Sequence, residues 1–442
     1  MRRPWLAITL VSVALGAGGG CTCGKSPPSA AIDAAPGDAA PAPSASAASP
    51  GDGGASALFS LPIAAARTRD ERVFAAGLVA ADKHVDVAVL DSRGAVLSRS
   101  TVIDGAAWTS GAELRFLAGP SGPALFFHGV QNGKRADLVV RLDEAGRAAG
   151  EPTAVGPSPC RVGDEIVWLA GGKAKVLTLG SGQARAVPLS SGEGEAQVAC
   201  GADDARVLWE HEGDHDDEPV LRRASDAGAS RRPLFRDADF PDDEAREVAE
   251  YAWAGGLGWI RVGQAGSLAL REAPGAGLGP VKKIALKVGD DDLVAVDSTL
   301  AAVFVIATHE DEEAACDAGS VAPAVRAVRV DRASFDAKLV ALAPGSCGRE
   351  RGPFTTEAEG GKLYVTWIER AKGRGRAGAP IVGFGWAEIG DSGEPRTGFV
   401  DVDADGLASA GCAHGKCWVV ALARPPGEDG MKPEPLRVLS FP

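Results

Sequence analysis

The chain has 442 residues, 45% of them apolar and 24% charged, with 58 glycines, which is enough apolar material for a sizeable core in a chain that turns often. Its net charge is -13, and residues 1–57 carry three basic and three acidic side chains, so the whole acidic excess belongs to the remainder. A domain of that charge repels phosphate backbones, which argues against nucleic acid as a partner. The chain opens with Arg2 and Arg3, an apolar run from Leu6 to Ala17, then Gly18, Gly19, Gly20 and Cys21. A basic start, an apolar middle and small residues before a cut are the layout of a secretory signal over residues 1–20. The apolar run is well short of the about 20 residues a spanning helix needs.

Cys21, directly after those small residues, resembles the lipobox of bacterial lipoproteins, although Gly18 stands where that family usually has Leu. The resemblance covers the signal only and implies that Cys21 is lipidated and becomes the new N-terminus. A soluble secreted product cut nearby is the other reading of the same layout. The paired arginines also resemble a twin-arginine signal but lack its flanking consensus. Residues 21–57 continue in Ala, Pro, Ser, Gly and Asp. Such a composition cannot bury enough apolar surface to offset the entropy of ordering, so it reads as a disordered tether between a membrane and the domain at 58–442. The protein is therefore expected outside the cytoplasm, anchored on the cell surface or the periplasmic side.

From residue 58 onward, short β-branched and aromatic runs alternate with Gly, Asp and Pro turns, which is strand chemistry. Phe74, Phe127, Trp168, Trp209, Trp259, Phe304, Trp367 and Trp418 mark a period, with separations between 41 and 63 residues. The clearest unit predicts a strand ending near Glu359 and others at Leu363–Glu369, Ile381–Ile389 and Thr397–Val400. Four short strands per repeat of this length predict an all-β fold, a β-propeller of seven or eight four-stranded blades. Two stacked β-sandwiches are the alternative. Turns at Asp91, Asp143, Asp226 and Asp391 should join third to fourth strands. They resemble the Asp-box turns of sialidase-like propellers without the flanking Ser and Trp, so no sialidase chemistry follows. The last unit lacks a strand, and Ser56–Pro62 (SALFSLP) is expected to supply it and close the ring.

Six cysteines in an exported domain imply disulfides. The repeat register favours sequential pairing: Cys160 with Cys200, Cys316 with Cys347, and Cys412 with Cys417 across the turn AHGK.

The candidate chemistry falls on the connections after second strands. His84, His128, His211, His215 and His309 lie in or beside them, with acid clusters at HEGDHDDE and THEDEE and a basic cluster at Glu369–Arg376 that includes Arg370 and Arg374. In a propeller this face usually takes the ligand. His211-Glu212-Gly213-Asp214-His215 resembles the zincin metallopeptidase motif, which would make both histidines zinc ligands and Glu212 a general base. Glu244, Glu247 and Glu250 are the candidates for a third ligand. The central glycine and the preceding strand ARVLWE argue for a loop where that chemistry needs a helix. Asp401, Asp403 and Asp405 with Gly406 resemble the first half of a calcium loop, but Ser409 and Cys412 stand where further acidic ligands belong. An acidic turn with no ion is the competing reading. No GxSxG, GxxxxGK or strand-to-helix GxGxxG sequence is present. The expectation is a monomeric, non-enzymatic envelope lipoprotein whose propeller face binds a protein, peptide or glycan. It requires no cofactor, with calcium at Asp401, Asp403 and Asp405 as a candidate ion. An extracytoplasmic hydrolase, zinc-dependent or glycan-active, is the alternative.

Overall fold

A computed structural model describes residues 60–440, apart from 68–71, 80–83, 93, 104–113, 118, 120–121, 132–133, 191–193, 202–203, 212–213, 222–230, 236–249, 255–256, 264–266, 274–277, 288–291, 300, 310–320, 360, 372–380, 391–393, 414–415 and 424–435. All described elements are strands, and no helix among them is long and apolar enough to cross a membrane. The fold is a β-propeller ring of seven four-stranded blades.

In chain order the first blade is β1 (Ser60–Arg67), β2 (Val73–Val79), β3 (His84–Leu90) and β4 (Val96–Ile103). The second is β5 (Leu114–Leu117), β6 (Ala124–Gln131), β7 (Lys134–Arg141) and β8 (Thr153–Val155). The third is β9 (Cys160–Val162), β10 (Glu165–Ala170), β11 (Lys173–Thr178) and β12 (Gln183–Pro188). The fourth is β13 (Glu195–Cys200), β14 (Ala205–His211), β15 (Asp214–Leu221) and β16 (Arg232–Phe235). The fifth is β17 (Glu250–Ala254), β18 (Gly258–Val262), β19 (Ser267–Glu272) and β20 (Val281–Lys287). The sixth is β21 (Asp292–Ser298), β22 (Ala302–His309), β24 (Ala324–Asp331) and β25 (Ala337–Ala343), beside a small ribbon of β23 (Val321–Ala322) and β26 (Ser346–Cys347). The seventh is β27 (Arg349–Glu359), β28 (Lys362–Ala371), β29 (Ile381–Ile389) and the first half of β30 (Pro395–Ala413). Every blade is an antiparallel meander, as its alternating apolar runs and tight turns require.

β30 is longer than the expected strand at 397–400. It pairs with β29 through Ala404 and then, past a bulge, with β31 (Lys416–Ala423), which pairs with β32 (Leu436–Ser440). The last marked unit is therefore three strands fused to the seventh blade. The segment at 56–62 does not complete it. Ser60 begins β1, which pairs with β2 inside the first blade, and residues 56–59 lie outside the described set. The N-terminal strand still closes the ring, but it does so by packing β1 against β30.

All eight marker aromatics sit on the second strand of their unit, and all are buried. Six of them, Phe74, Phe127, Trp168, Trp259, Phe304 and Trp367, pack in clusters shared between adjacent blades. Trp168 packs with Phe126 and Ile166, and Trp367 packs with Phe304 and Phe354. Trp209 lies under the Arg231 guanidinium. At Gly171 and Gly172 the two-residue turn between β10 and β11 has φ of 58° and 68°, which glycine adopts without steric cost. The Asp91 and Asp143 turns join third to fourth strands as expected, each carboxylate accepting local backbone N–H groups at 2.8–2.9 Å. Asp226 and Asp391 lie outside the described residues.

The blades are also tied by buried charge. Arg206 is fully buried, donates to Asp217 at 2.6 Å and to the Ala273 carbonyl at 2.8 Å, and stacks on Trp253. Asp217 also accepts from Trp259 Nε1 at 3.0 Å, so the fourth and fifth blades share one ion pair. Arg161 does the same for the second and third, donating to the carbonyls of Leu117, Gly122 and Gly163. The Cys160–Cys200 disulfide joins the first strands of the third and fourth blades, with Cα atoms 5.8 Å apart. Cys412–Cys417 bridges the hairpin of β30 and β31. Cys347 is disulfide-bonded, and Cys316 lies outside the described residues.

Two stability outcomes follow. Asp217→Ala strands a buried guanidinium and a buried indole N–H and should cost about 3–5 kcal/mol in chemical denaturation. Replacing Cys160 and Cys200 together by Ser reopens a loop of 40 residues and should cost about 3–4 kcal/mol, read as a lower denaturant midpoint.

Candidate functional site

Each blade turns from its second to its third strand on the same face of the ring as the connection to the next blade, and the expected site residues collect there. The histidines are on strand ends flanking those turns. His84 opens β3, His128 is in β6, His211 ends β14, His215 is second in β15 and His309 ends β22. The turns are shorter than the sequence suggested, because the ladders run further toward the rim.

His84 and His128 each have a carboxylate partner. His84 Nε2 is 3.1 Å from Asp86, a buried residue that also accepts from Arg99 at 2.6 Å and Thr101 at 2.8 Å. His128 Nδ1 is 2.5 Å from Asp137 on the adjacent strand, with the imidazole edge-on to Phe126. This contact fixes the ring and leaves the pair half-exposed.

The zincin-like string does not fold as that chemistry needs. His211 and His215 are on opposite sides of a β-hairpin, with His211 paired to Asp214 and His215 paired to Glu210. Successive ladder positions belong to opposite faces of a sheet, so the two histidines do not share the single helical face that a zincin uses. Of the proposed third ligands, Glu244 and Glu247 lie outside the described residues and Glu250 opens β17.

The acids that follow are committed to packing. Asp216 pairs with Arg231 at 2.5 Å, Asp217 with Arg206, and Glu218 accepts from Trp209 Nε1 at 3.0 Å and from the Ser190 amide and hydroxyl at 2.8 and 2.9 Å. What reads as an acidic loop in HDDE is a strand whose carboxylates fasten neighbours. One acidic pair at the rim was not singled out from the sequence. Glu195 and Glu210 stand directly opposite each other across β13 and β14, and burial together with the Glu195 charge pushes the Glu210 carboxyl up.

The calcium-like run also falls in a strand. Residues 401–406 are part of β30, where alternate Cα atoms are about 6.6 Å apart, in contrast to a loop that curls its carboxylates around an ion. Asp401 is exposed; the side chains of Asp403 and Asp405 lie outside the described set. Among the described residues, no three His, Cys, Asp or Glu side chains are grouped to hold a metal.

The most developed polar arrangement is on the seventh blade. Arg349 and Arg351, alternate residues of β27, both reach Glu369 on β28, at 2.9 and 2.8 Å, and Trp367 Nε1 donates to the same carboxylate at 3.2 Å. Arg351 also donates to the carbonyls of Pro323 and Pro344, both at 2.7 Å. The floor beneath is glycine: a Cβ at Gly383 would run into Phe399, and one at Gly385 into Trp367. Burial works to raise the Glu369 carboxyl, but the two guanidinium groups and the indole N–H outweigh it and hold the group below the usual carboxylate range. Burial lowers the neighbouring Arg370, and the charge of Glu350 opposes that shift. The sequence signal for this layer was available in Arg349-Glu350-Arg351, whose alternation puts both arginines on one face. Arg374, His309 side-chain contacts and Cys21 lie outside the described set.

No protein-family model matches the sequence, and no curated protein matches it. Among solved structures, the chain is similar to a eukaryotic initiation factor at 10% identity and a TM-score of 0.44, covering 85% of this chain and 89% of that one. It is similar to apo AztD from Citrobacter koseri at 13% identity and a TM-score of 0.45, covering 84% and 97%. It is similar to Pyrococcus horikoshii acylaminoacyl peptidase at 12% identity and a TM-score of 0.44, covering 74% of this chain and 51% of the peptidase. Likeness of this degree carries no argument about activity or ligand.

The lowered Glu369 group makes a pH prediction with a definite sign. Its contribution to stability is complete above the unfolded carboxylate value of about 4.3 and is lost as pH falls through the lower folded value. Glu369→Gln should flatten the acid limb of a plot of denaturation midpoint against pH, while leaving the limb above neutrality unchanged in slope.

Proposed function

We propose that the protein is a non-enzymatic, exported lipoprotein, anchored through Cys21, whose propeller rim binds a protein, peptide or glycan of the cell envelope. The observation that carries this reading is the way the chemistry-bearing residues are used. The carboxylates of Asp216, Asp217, Glu218 and Glu369 are held in buried contacts that fasten strands and blades, while His84, His128 and Arg349 remain at the rim in fixed orientations. Fixed polar groups around a face suit recognition more than turnover. Support for export comes from the basic and apolar start, the tether composition and the disulfides, which persist in oxidising compartments.

A second reading, a glycan-active hydrolase, draws on Glu195 and Glu210. Paired carboxyls with one pushed up are what acid catalysis of glycoside cleavage uses.

One experiment addresses both. The full chain with its own signal, expressed in a bacterium and fractionated, should sediment with membranes, and Cys21→Ser should move it to the soluble extracytoplasmic fraction. Wild-type protein found in the cytoplasm with reduced cysteines would end the lipoprotein reading. Release of reducing sugar from isolated envelopes by wild-type protein, abolished by Glu210→Gln, would replace binding with hydrolysis.

A further inference from the structure

The geometry points to an oxyanion-binding site at Arg349 on the seventh blade, taking a carboxylate or phosphate group of an acidic polymer. This deepens the binding reading above and rests on it for its place in the envelope.

Three observations carry it. First, the Arg349 guanidinium is held in one orientation: one Nη donates to Glu369 at 2.9 Å, and its central carbon lies 5.3 Å from the centre of the Phe399 ring. Phe399 is itself fixed, since its ring lies over Gly383 where no side chain intervenes. A guanidinium fixed this way has already lost the rotamer freedom that anion binding would otherwise cost, and its planar fork matches a carboxylate or phosphate edge.

Second, Arg349 is not the sole partner of its carboxylate. Glu369 is shared with Arg351, so two guanidinium groups meet one buried carboxylate, and the other acid of that ladder row, Asp401, stands across Gly383 and is exposed. Arg351 is buried and donates to Glu369 and two carbonyls, so Arg349 is the guanidinium of the two that reaches the surface.

Third, both faces of the contact are open. The Arg349 side chain is 38% exposed and Phe399 is 39% exposed, one of four large apolar residues that stand out of the described surface. An aromatic ring beside a cationic fork gives a sugar ring or an aliphatic linker something to lie against while the anion is gripped.

Arg349 also helps to hold the Glu369 carboxylate, which keeps Arg351 at 2.8 Å and Trp367 at 3.2 Å as further partners. That redundancy also makes the site testable, because Arg349 can be changed while Glu369 keeps partners.

The test uses the full-length protein in detergent at low salt, titrated with fluorescent oligogalacturonate and, separately, with inorganic polyphosphate. Binding of either should weaken at least tenfold in Arg349→Gln and to an intermediate degree in Arg349→Lys, which keeps the charge and loses the fork. Arg185→Gln, at an exposed pair on the third blade, should leave binding unchanged. Oligogalacturonate alone binding assigns the site to uronic-acid carboxylates; polyphosphate alone assigns it to phosphate-linked polymers; both assign it to oxyanions in general. No binding of either probe, or equal binding by wild type and a folded Arg349→Gln protein with an unchanged melting temperature, overturns the inference. Fractionation of the Cys21→Ser protein does not depend on this outcome, so the two failures are distinguishable.

Discussion

Backbone hydrogen bonds end at the edge of a sheet, so except where β30 carries its ladder from the seventh blade into the last unit, whatever fastens one blade to the next has to be side chain or disulfide. In this ring the joints are of two kinds. Apolar joints are made by second-strand aromatics: Phe74, Phe127, Trp168, Trp259, Phe304 and Trp367 are each buried in a cluster shared with a neighbouring blade. Polar joints place a guanidinium inside the seam and satisfy it with carbonyls and at most one or two carboxylates, as at Arg161, Arg206 and Arg351. A buried arginine is tolerable only when most of its five donors are met, and peptide carbonyls at the ends of short strands are the acceptors a propeller has in supply.

That use of charge explains why the fold was legible and the site was not. The aromatic markers predicted the strand that each occupies because burial between blades demands a large residue at one place per repeat, and the demand is visible as a period. The same register placed Cys160 opposite Cys200, and it placed Cys412 opposite Cys417. Polar residues obey no such period. Asp216, Asp217 and Glu218 read as a loop because three consecutive acids are unusual in a strand; their partners Arg206 and Trp209 are on the adjacent strand β14, Arg231 precedes β16, and Trp259 reaches Asp217 from the fifth blade, so nothing in the local string announces them. His211 to His215 has the spacing of a helical motif, but a hairpin realises the same spacing with a different geometry. A period says how many strands are needed and not which end of the chain enters the ring first, so it did not show that Ser60–Pro62 pair inside the first blade as part of β1.

The seventh blade shows how a functional layer can hide inside a structural one. Glu369 needs one cation to be tolerated in its buried position, and it has two. The second, Arg349, reaches the surface while it holds the same carboxylate. Gly383 and Gly385 lie inside the strand expected at Ile381–Ile389 and act as clearance, letting Trp367 and Phe399 lie across β29. Sequence alternation gives the face of Arg349 and Arg351; only the fold shows that Phe399, about 50 residues further on, shares it.

The length of β30 has a consequence for how the ring can come apart. A single strand that runs from one sheet into the next makes the last two repeats one mechanical body, since neither can peel away without breaking the other's ladder. At the opposite side of that body, β1 meets β30 through packing alone among the described pairings. The first and last repeats are therefore held to each other by side-chain packing, whereas the last two repeats are held by a shared backbone ladder, so a local opening of the circle would separate β1 from β30 and leave the two final repeats together.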